Sequence, residues 1–174
     1  MNVIIYGSKY GTAKQYAEKL SEKTNIHSKS YEDIEDINSY ETIIYIGGLY
    51  AGGVLGMAKT FKFLTNCKDK KIIIATVGLA DPNDIENANA IKASIRRQLS
   101  NDIYTKAFIY HLRGGIDYSK LSFKHKTMMA LLYKKVKSLP EKKKTAEIKA
   151  MMETYNKQVY FVDYTCLNKI IEII

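Results

Sequence analysis

The sequence predicts an α/β fold with three layers, in which helices cover both faces of a doubly wound, five-stranded parallel sheet. Short runs of β-branched and aromatic residues without charge, such as Val3-Ile4-Ile5-Tyr6, are typical of strands buried on both faces. These runs alternate with segments of helical spacing, which favours parallel strands joined by helices. Glycine-rich turns follow several of the runs, at the sheet edge where such folds bind ligands.

The first half of the chain opens this alternation. Residues 3–6 form the first predicted strand, and residues 14–20 resume at helical spacing. A weak second strand over residues 26–31 precedes an acidic connector at 32–36. The charge-free run at 42–48 predicts a strong third strand.

The alternation continues with a short helix over residues 57–66 and a fourth strand over 71–77, which lysines flank. Residues 85–100 carry apolar side chains at helical spacing. Residues 106–112 then predict the fifth strand, which completes the sheet.

The chain beyond the fifth strand departs from simple alternation. Residues 116–150 predict a basic helical insert, with a stripe of apolar residues over 124–139 surrounded by lysines. Such a stripe lies at a membrane interface, lines an adaptable site, or packs on the body of the protein. The lysines at 142–144 predict a solvated turn, and Asp163 predicts the cap of a final helix over 164–174. We expect residues 1–174 to form one domain.

The turn after the first strand has the composition of an anion site. Glycine and hydroxyl side chains at the start of a helix offer backbone N–H groups and the positive end of the helix dipole. The turn matches neither the dinucleotide-binding nor the nucleoside-triphosphate glycine motif. The alternative is an ordinary turn whose Ser and Thr only cap the helix. The candidate residues are Ser8, Lys9, Tyr10, Gly11, Thr12 and Ala13.

The same stretch resembles the phosphate signature of the flavodoxin family. The family pattern is an apolar pair and an aromatic residue, followed by Ser/Thr-x-x-Gly-x-Thr, with an alanine and an aliphatic residue further along the helix. The matching positions are Ile4, Ile5, Tyr6, Ser8, Gly11, Ala17 and Leu20. Ala13 departs from the pattern, because the family usually has a threonine there that contacts the flavin phosphate. Either Thr12 compensates for it, or the affinity for the cofactor is lower.

Two later loops fall at the other places where the resemblance implies contacts with FMN. In flavodoxin-like proteins these loops enclose the isoalloxazine ring, and a peptide of the first of them bonds flavin N5. Tyr50 or Leu49 would then cover a ring face. The alternative is that their glycines only make tight turns. The implied residues are Leu49, Tyr50, Ala51, Gly52, Gly53, Thr76, Val77, Gly78, Leu79, Ala80 and Asp81.

Charge is concentrated in the insert. The chain has a net charge of +9, of which residues 116–150 carry +7. Electron-shuttling members of the resembled family are typically acidic, so this basic segment indicates an anionic partner such as a lipid surface or a carboxylate-bearing substrate. No aromatic and basic interleaving accompanies the lysines, and we expect no nucleic acid to bind.

The cysteines and the hydropathy bear on the compartment. Cys67 and Cys166 lie far apart without metal-ligand spacing, which indicates a reducing compartment and no metal site. The first strand starts near residue 3, so we expect no signal peptide. No apolar run approaches the roughly 20 residues that span a bilayer. We therefore expect a cytoplasmic protein, with peripheral membrane contact through the insert as an option.

Residues 114–121 and the Lys9-Tyr10-Gly11-Thr12 turn resemble the bacterial protoporphyrinogen dehydrogenases of flavodoxin type. That resemblance implies FMN-dependent oxidation of a porphyrinogen with menaquinone as acceptor. Arg113 and the lysines of the insert would attract the substrate's propionates or an anionic membrane surface. No catalytic side chain is assigned, and His111 is interpreted as structural. The alternatives are an electron carrier that serves a partner oxidoreductase, and a binding module that has lost its flavin.

Overall fold

The computed structural model describes residues 1–174 and contains eight strands and seven α-helices. The strands are β1 Asn2–Gly7, β2 Ser28–Ser30, β3 Thr42–Tyr50, β4 Gly53–Val54, β5 Lys71–Gly78, β6 Phe108–Arg113, β7 Gly115–Asp117 and β8 Gln158–Tyr160. The helices are α1 Thr12–Thr24, α2 Met57–Phe61, α3 Ile85–Gln98, α4 Asn101–Lys106, α5 Phe123–Lys137, α6 Ala146–Thr154 and α7 Asn168–Ile171.

The central sheet has the strand order β2-β1-β3-β5-β6, and every neighbouring pair on this path is parallel. The chain moves outward from β1 to β2 and then crosses back to β3, so the strand order reverses between β1 and β3. Ligands of open α/β sheets bind beyond the carboxyl ends of the strands at this point of reversal. The predicted five-stranded parallel fold is confirmed.

Side chains alternate across the sheet and form two core layers, because successive residues of a strand face opposite sides. On one face, Val3 and Ile5 of β1 join the buried side chains of α2, α3 and α4. On the other face, Ile4 packs with α1 and with Leu167 and Ile170 near the C-terminus. Helices therefore cover both sides of the sheet, as the sequence predicts.

The largest boundary differences lie in short elements. The predicted helix over 57–66 ends at Phe61, because the side chain of Asn38 accepts the N–H of Thr65 at 2.9 Å and holds the following segment away from helical geometry. The fifth strand begins at Phe108 rather than at 106, since residues Asn101–Lys106 form α4 behind the N-cap of Ser100. The second strand is only three residues long.

The C-terminal helix is also shorter than predicted. A 3-10 turn over Tyr164–Leu167 precedes α7, so residues 164–174 do not form one continuous helix. Asp163 caps the turn as expected, because its carboxylate accepts the N–H of Thr165 at 2.9 Å.

The insert packs as a third cluster instead of standing free. Met129 and Val136 of α5 and Met151 of α6 are buried together with Ile116 and Tyr118. β7 and β8 pair as an antiparallel ribbon at the base of the insert. None of the helices is both long enough and apolar enough to cross a membrane.

Candidate functional site

The turn between β1 and α1 is held closed by its own groups. The N–H of Gly11 donates to Ser8 Oγ at 3.1 Å. Gly11 has a φ of 95°, a left-handed conformation that favours glycine. No side chain caps α1, and its first turn carries no acidic residue. The first N–H groups of the helix are therefore free to meet an anion.

The second loop is a tight hairpin at the end of β3. Ala51 and Gly52 have φ values of 50° and 81°, and Tyr50 pairs with Gly53 across the turn. Positive φ at both central residues is the geometry of a two-residue hairpin turn. The hydroxyl of Ser94 on α3 donates to the Gly52 carbonyl at 2.8 Å, so α3 supports this loop.

Aromatic side chains connect the first two loops. The rings of Tyr10 and Tyr50 meet edge to face with their centroids 6.5 Å apart, and Lys9 Nζ lies 5.9 Å from the centroid of the Tyr50 ring. Tyr50 Oη also contacts Met128 Sδ on α5 at 3.8 Å. The first loop, the second loop and the insert therefore meet at Tyr50.

The third loop follows β5 and is held from two sides. The N–H groups of Leu79 and Ala80 donate to the Glu147 carboxylate at 3.3 and 3.2 Å. On the other side, Arg113 Nε donates to the Leu79 carbonyl at 3.0 Å. Both the insert and the end of β6 therefore fix this loop.

One cavity of about 700 Å³ lies where the three loops converge. Most of its remaining wall residues come from α3 and from the insert. Thirteen of the seventeen residues that the sequence predicts for the site line it. These are Ser8, Lys9, Tyr10, Thr12, Ala13, Leu49, Tyr50, Ala51, Gly52, Gly53, Val77, Gly78 and Leu79.

The other four predicted residues do not line the cavity. Gly11 lies in the turn, where its N–H donates to Ser8 and its carbonyl accepts the N–H of Gln15 at 3.0 Å. Thr76 is fully buried, and its hydroxyl lies 2.8 Å from His111 Nδ1. Ala80 turns its N–H to Glu147, and the carboxylate of Asp81 accepts the N–H of Asn83.

His111 has the environment of a structural residue. Burial lowers the pKa of its imidazole to about 4, and the positive charge of Lys92 acts in the same direction. The ring is therefore neutral at physiological pH. A neutral ring bonded to Thr76 suits a structural residue in a partly buried position on β6. It does not suit a site that needs a charged side chain.

Arg113, which the resemblance implies attracts an anionic substrate or membrane surface, is held by two contacts of its own. Its guanidinium carbon lies 3.8 Å from the centroid of the Phe161 ring, and its Nε is bonded to the third loop. It does not line the cavity, because these contacts hold it against the protein. The cations that do line the cavity are Lys9 and Arg97, and neither has an acidic partner within 4 Å.

The sequence did not assign the walls formed by α3 and the insert. The methionine and leucine stripe of α5 was the available signal, since it left open an adaptable site. Glu147 gave no local signal, because its partners are backbone groups far away in the chain. The unassigned lining residues of the insert are Ile116, Met128, Met129, Leu132, Val136, Thr145, Glu147 and Ile148, and Met151 of α6 follows directly after it.

A family model described as "Flavodoxin domain" matches residues 3–144. The chain belongs to the flavodoxin-domain family. The match covers β1 through α5, and hence all three loops of the cavity. No curated protein sequence matches the chain at a significant level.

Solved structures give weaker likenesses. A flavoprotein from Lactobacillus acidophilus, in complex with FMN, is 14% identical, with a TM-score of 0.41, over 64% of this chain and 91% of that one. A cysteine-to-alanine mutant of flavodoxin from Pseudomonas aeruginosa is 16% identical, with a TM-score of 0.39, over 80% and 99% of the two chains. The family assignment therefore rests on the family model.

Proposed function

We propose that the protein binds FMN noncovalently in the cavity and uses it as a redox cofactor. The observation that carries this proposal is the convergence of three loops on one cavity at the carboxyl ends of β1, β3 and β5. A cavity of about 700 Å³ is within the usual range for cofactor sites. Membership of the flavodoxin-domain family supports the choice of FMN.

The residues present suit the parts of FMN. The uncapped N-terminus of α1 and the hydroxyls of Ser8 and Thr12 suit its phosphate. Leu49 and Tyr50 offer apolar and aromatic surface for the ring. When bound, FMN supplies the acceptance and release of electrons, and the protein supplies position and electrostatics.

We further propose an oxidoreductase whose substrate is large, apolar and anionic, of the porphyrinogen type. The methionines and leucine of α5 and α6 give the cavity an adaptable apolar wall. Lys9 and Arg97 are unpaired cations on the same cavity and suit carboxylates of such a substrate. The resemblance of residues 114–121 to the protoporphyrinogen dehydrogenases points to the same substrate.

The outer face of α5 suits contact with an anionic membrane that holds a quinone acceptor. Phe123 is 87% exposed and Leu131 is 66% exposed, and both lie on one side of the helix. Lys124, Lys134 and Lys135 are exposed beside them. Apolar side chains flanked by lysines are typical of helices that lie in a membrane interface.

FMN titration tests the cofactor. Binding at a ratio of about one to one with a perturbed flavin spectrum supports the proposal, and no binding at high micromolar FMN overturns it. FAD is the control ligand, and we expect it to bind more weakly, because the chain shows no second nucleotide-binding unit for the adenosine half.

Turnover tests the substrate class. The FMN-loaded protein should oxidise protoporphyrinogen with menaquinone as acceptor. Deleting residues 119–149 should abolish this turnover while FMN stays bound, because these residues include α5, Glu147 and Ile148 of the cavity wall. A protein that binds FMN, never oxidises protoporphyrinogen and still exchanges electrons with a reductase after the deletion is an electron carrier instead.

Liposomes test the membrane contact. Charge reversal of Lys134, Lys135 and Lys137 to Glu should weaken binding to anionic vesicles, because each basic residue near such a surface contributes about 1 kcal/mol. High salt should weaken the binding of the unaltered protein to the same vesicles, since salt screens exposed charges within about 8–10 Å at physiological ionic strength. Reversal of the exposed lysines 62, 68 and 92 is the matched control. Equal loss in both triple variants would contradict contact through α5.

A further inference from the structure

Glu147 joins the insert to the third loop. It lies in the first turn of α6, and its two carboxylate oxygens accept the N–H groups of Leu79 and Ala80 at 3.3 and 3.2 Å. The residues in contact are 67 and 68 positions apart in the chain. No lysine or arginine forms an ion pair with this carboxylate, so the two backbone N–H groups are its hydrogen-bond partners.

Glu147 and Leu49 both approach residue 78 closely, and glycine gives them the most room. A Cβ atom at Gly78 would lie 3.2 Å from one Glu147 oxygen and 2.8 Å from Leu49 Cδ1. A larger residue at 78 would therefore shift the end of the Leu49 side chain and move the carboxylate by a few tenths of an ångström. Three separate segments therefore meet at Gly78.

Glu147 is also the single acidic side chain on the cavity, whose other charged residues are Lys9 and Arg97. It brings a negative charge to the wall next to the third loop. Lys9 and Arg97 are themselves exposed, so solvent screens their charges more than that of a carboxylate bound to backbone N–H groups.

We infer that Glu147 is a positioning residue, which fixes the third loop for the flavin ring and sets the charge beside it. This inference rests on the proposed binding of FMN. Hydrogen bonds to an ionised acceptor are stronger than neutral ones, so the carboxylate holds the loop more firmly than an amide would. Reduction adds electrons to the flavin, and a neighbouring negative charge opposes this addition. Glu147 therefore lowers the reduction potential of the bound cofactor.

The experiment compares Glu147→Gln and Glu147→Ala with the wild type. Glutamine keeps one acceptor oxygen and the shape of the side chain but removes the charge, whereas alanine removes the contact as well. Glu153→Gln is the matched control, because Glu153 is an exposed residue of the same helix. Hydrogen exchange of the Leu79 and Ala80 N–H groups is measured on the protein without FMN, and the midpoint potential is measured with FMN bound.

We expect Glu147→Ala to lose protection at both N–H groups by roughly tenfold, the equilibrium factor that corresponds to about 1.4 kcal/mol. Glu147→Gln should lose less protection. Both variants should shift the midpoint potential to more positive values, and Glu153→Gln should change neither quantity.

Two results overturn the inference in different ways. If both Glu147 variants bind FMN and keep the protection and the potential of the wild type, Glu147 has no positioning role, and the proposed function stands. If the wild type itself does not bind FMN, the proposed function fails and this inference fails with it.

Discussion

Ser8→Ala removes the side chain that closes the turn between β1 and α1. In the structure Ser8 Oγ accepts the N–H of Gly11 at 3.1 Å, and Gly11 holds the left-handed conformation in front of α1. The substitution leaves that N–H without its acceptor and removes one hydroxyl from the proposed phosphate site. Its effect therefore has one part in the free protein and one part in the complex with FMN.

The two parts have different sizes. The neutral bond to Gly11 contributes about 0.5–1.5 kcal/mol to the free energy of unfolding. For a chain of this length that is a loss of about 2–4 °C in Tm for each kcal/mol. A hydroxyl that donates to a charged phosphate contributes more, about 1.5–3 kcal/mol. The Kd for FMN should therefore rise by roughly 10-fold to 150-fold.

Thermal unfolding of the protein without FMN and fluorescence titration with FMN measure the two parts separately. Ser8→Thr, which keeps a hydroxyl, should retain most of the affinity. Ser39→Ala is the matched control, since the exposed Ser39 hydroxyl donates to the Asp36 carbonyl at 2.9 Å, outside the residues that line the cavity. An unchanged Kd in Ser8→Ala would refute the placement of the phosphate in this turn.

Three further substitutions test other features of the structure. Ala13→Thr supplies the missing hydroxyl but must fit it into the core, because Ala13 is only 1% exposed. We therefore expect a gain in FMN binding smaller than the contribution of the Ser8 hydroxyl, about 0.5–1.5 kcal/mol, and a loss of stability of about 1–3 kcal/mol. An unchanged Kd would show that position 13 does not reach the phosphate. Tyr16→Phe should lower the free energy of unfolding by about 1–3 kcal/mol in a urea titration. The Tyr16 hydroxyl donates to the Arg113 carbonyl at 2.8 Å and accepts the N–H of Asp163 at 3.0 Å, and both bonds are lost. Tyr110→Phe loses one 3.4 Å bond at the surface and should be destabilised less. Burial lowers the pKa of His111 from 6.5 to about 4. Between these two pH values the unfolded chain binds a proton at His111 that the folded chain does not. The free energy of unfolding should therefore fall as the pH falls from 6.5 to about 4. His111→Gln should flatten this fall, and equal slopes in the variant and the wild type would contradict it.

The sequence predicted the sheet and the three loops because their signals are local. A strand such as β3 is a continuous apolar run, and the loops follow such runs directly. The cap at Asp163 was predictable for the same reason, since its partner Thr165 lies two residues away. Each of these features depends on neighbours in the chain.

The rest depends on contacts between distant segments. α4 has only six residues, too few to show helical periodicity, so the prediction assigned its last residue to a strand. Thr76 lies near the end of the predicted fourth strand, next to Val77, which lines the cavity, but the alternation of side chains along β5 directs it toward His111. Glu147 reaches its partners only after the insert has folded back, and no spacing in the sequence reveals that.

The ribbon formed by β7 and β8 has a consequence for how this protein can be altered. It pairs Asp117 with Gln158, so the segment between them leaves the body of the protein and returns to it at the same place. A segment whose two ends meet is tolerated as an exchangeable module, because its length does not change the distance that its ends must span. Exchanging residues 118–157 between flavodoxin-type proteins would thus transfer one wall of the cavity and leave the strands of the central sheet in place.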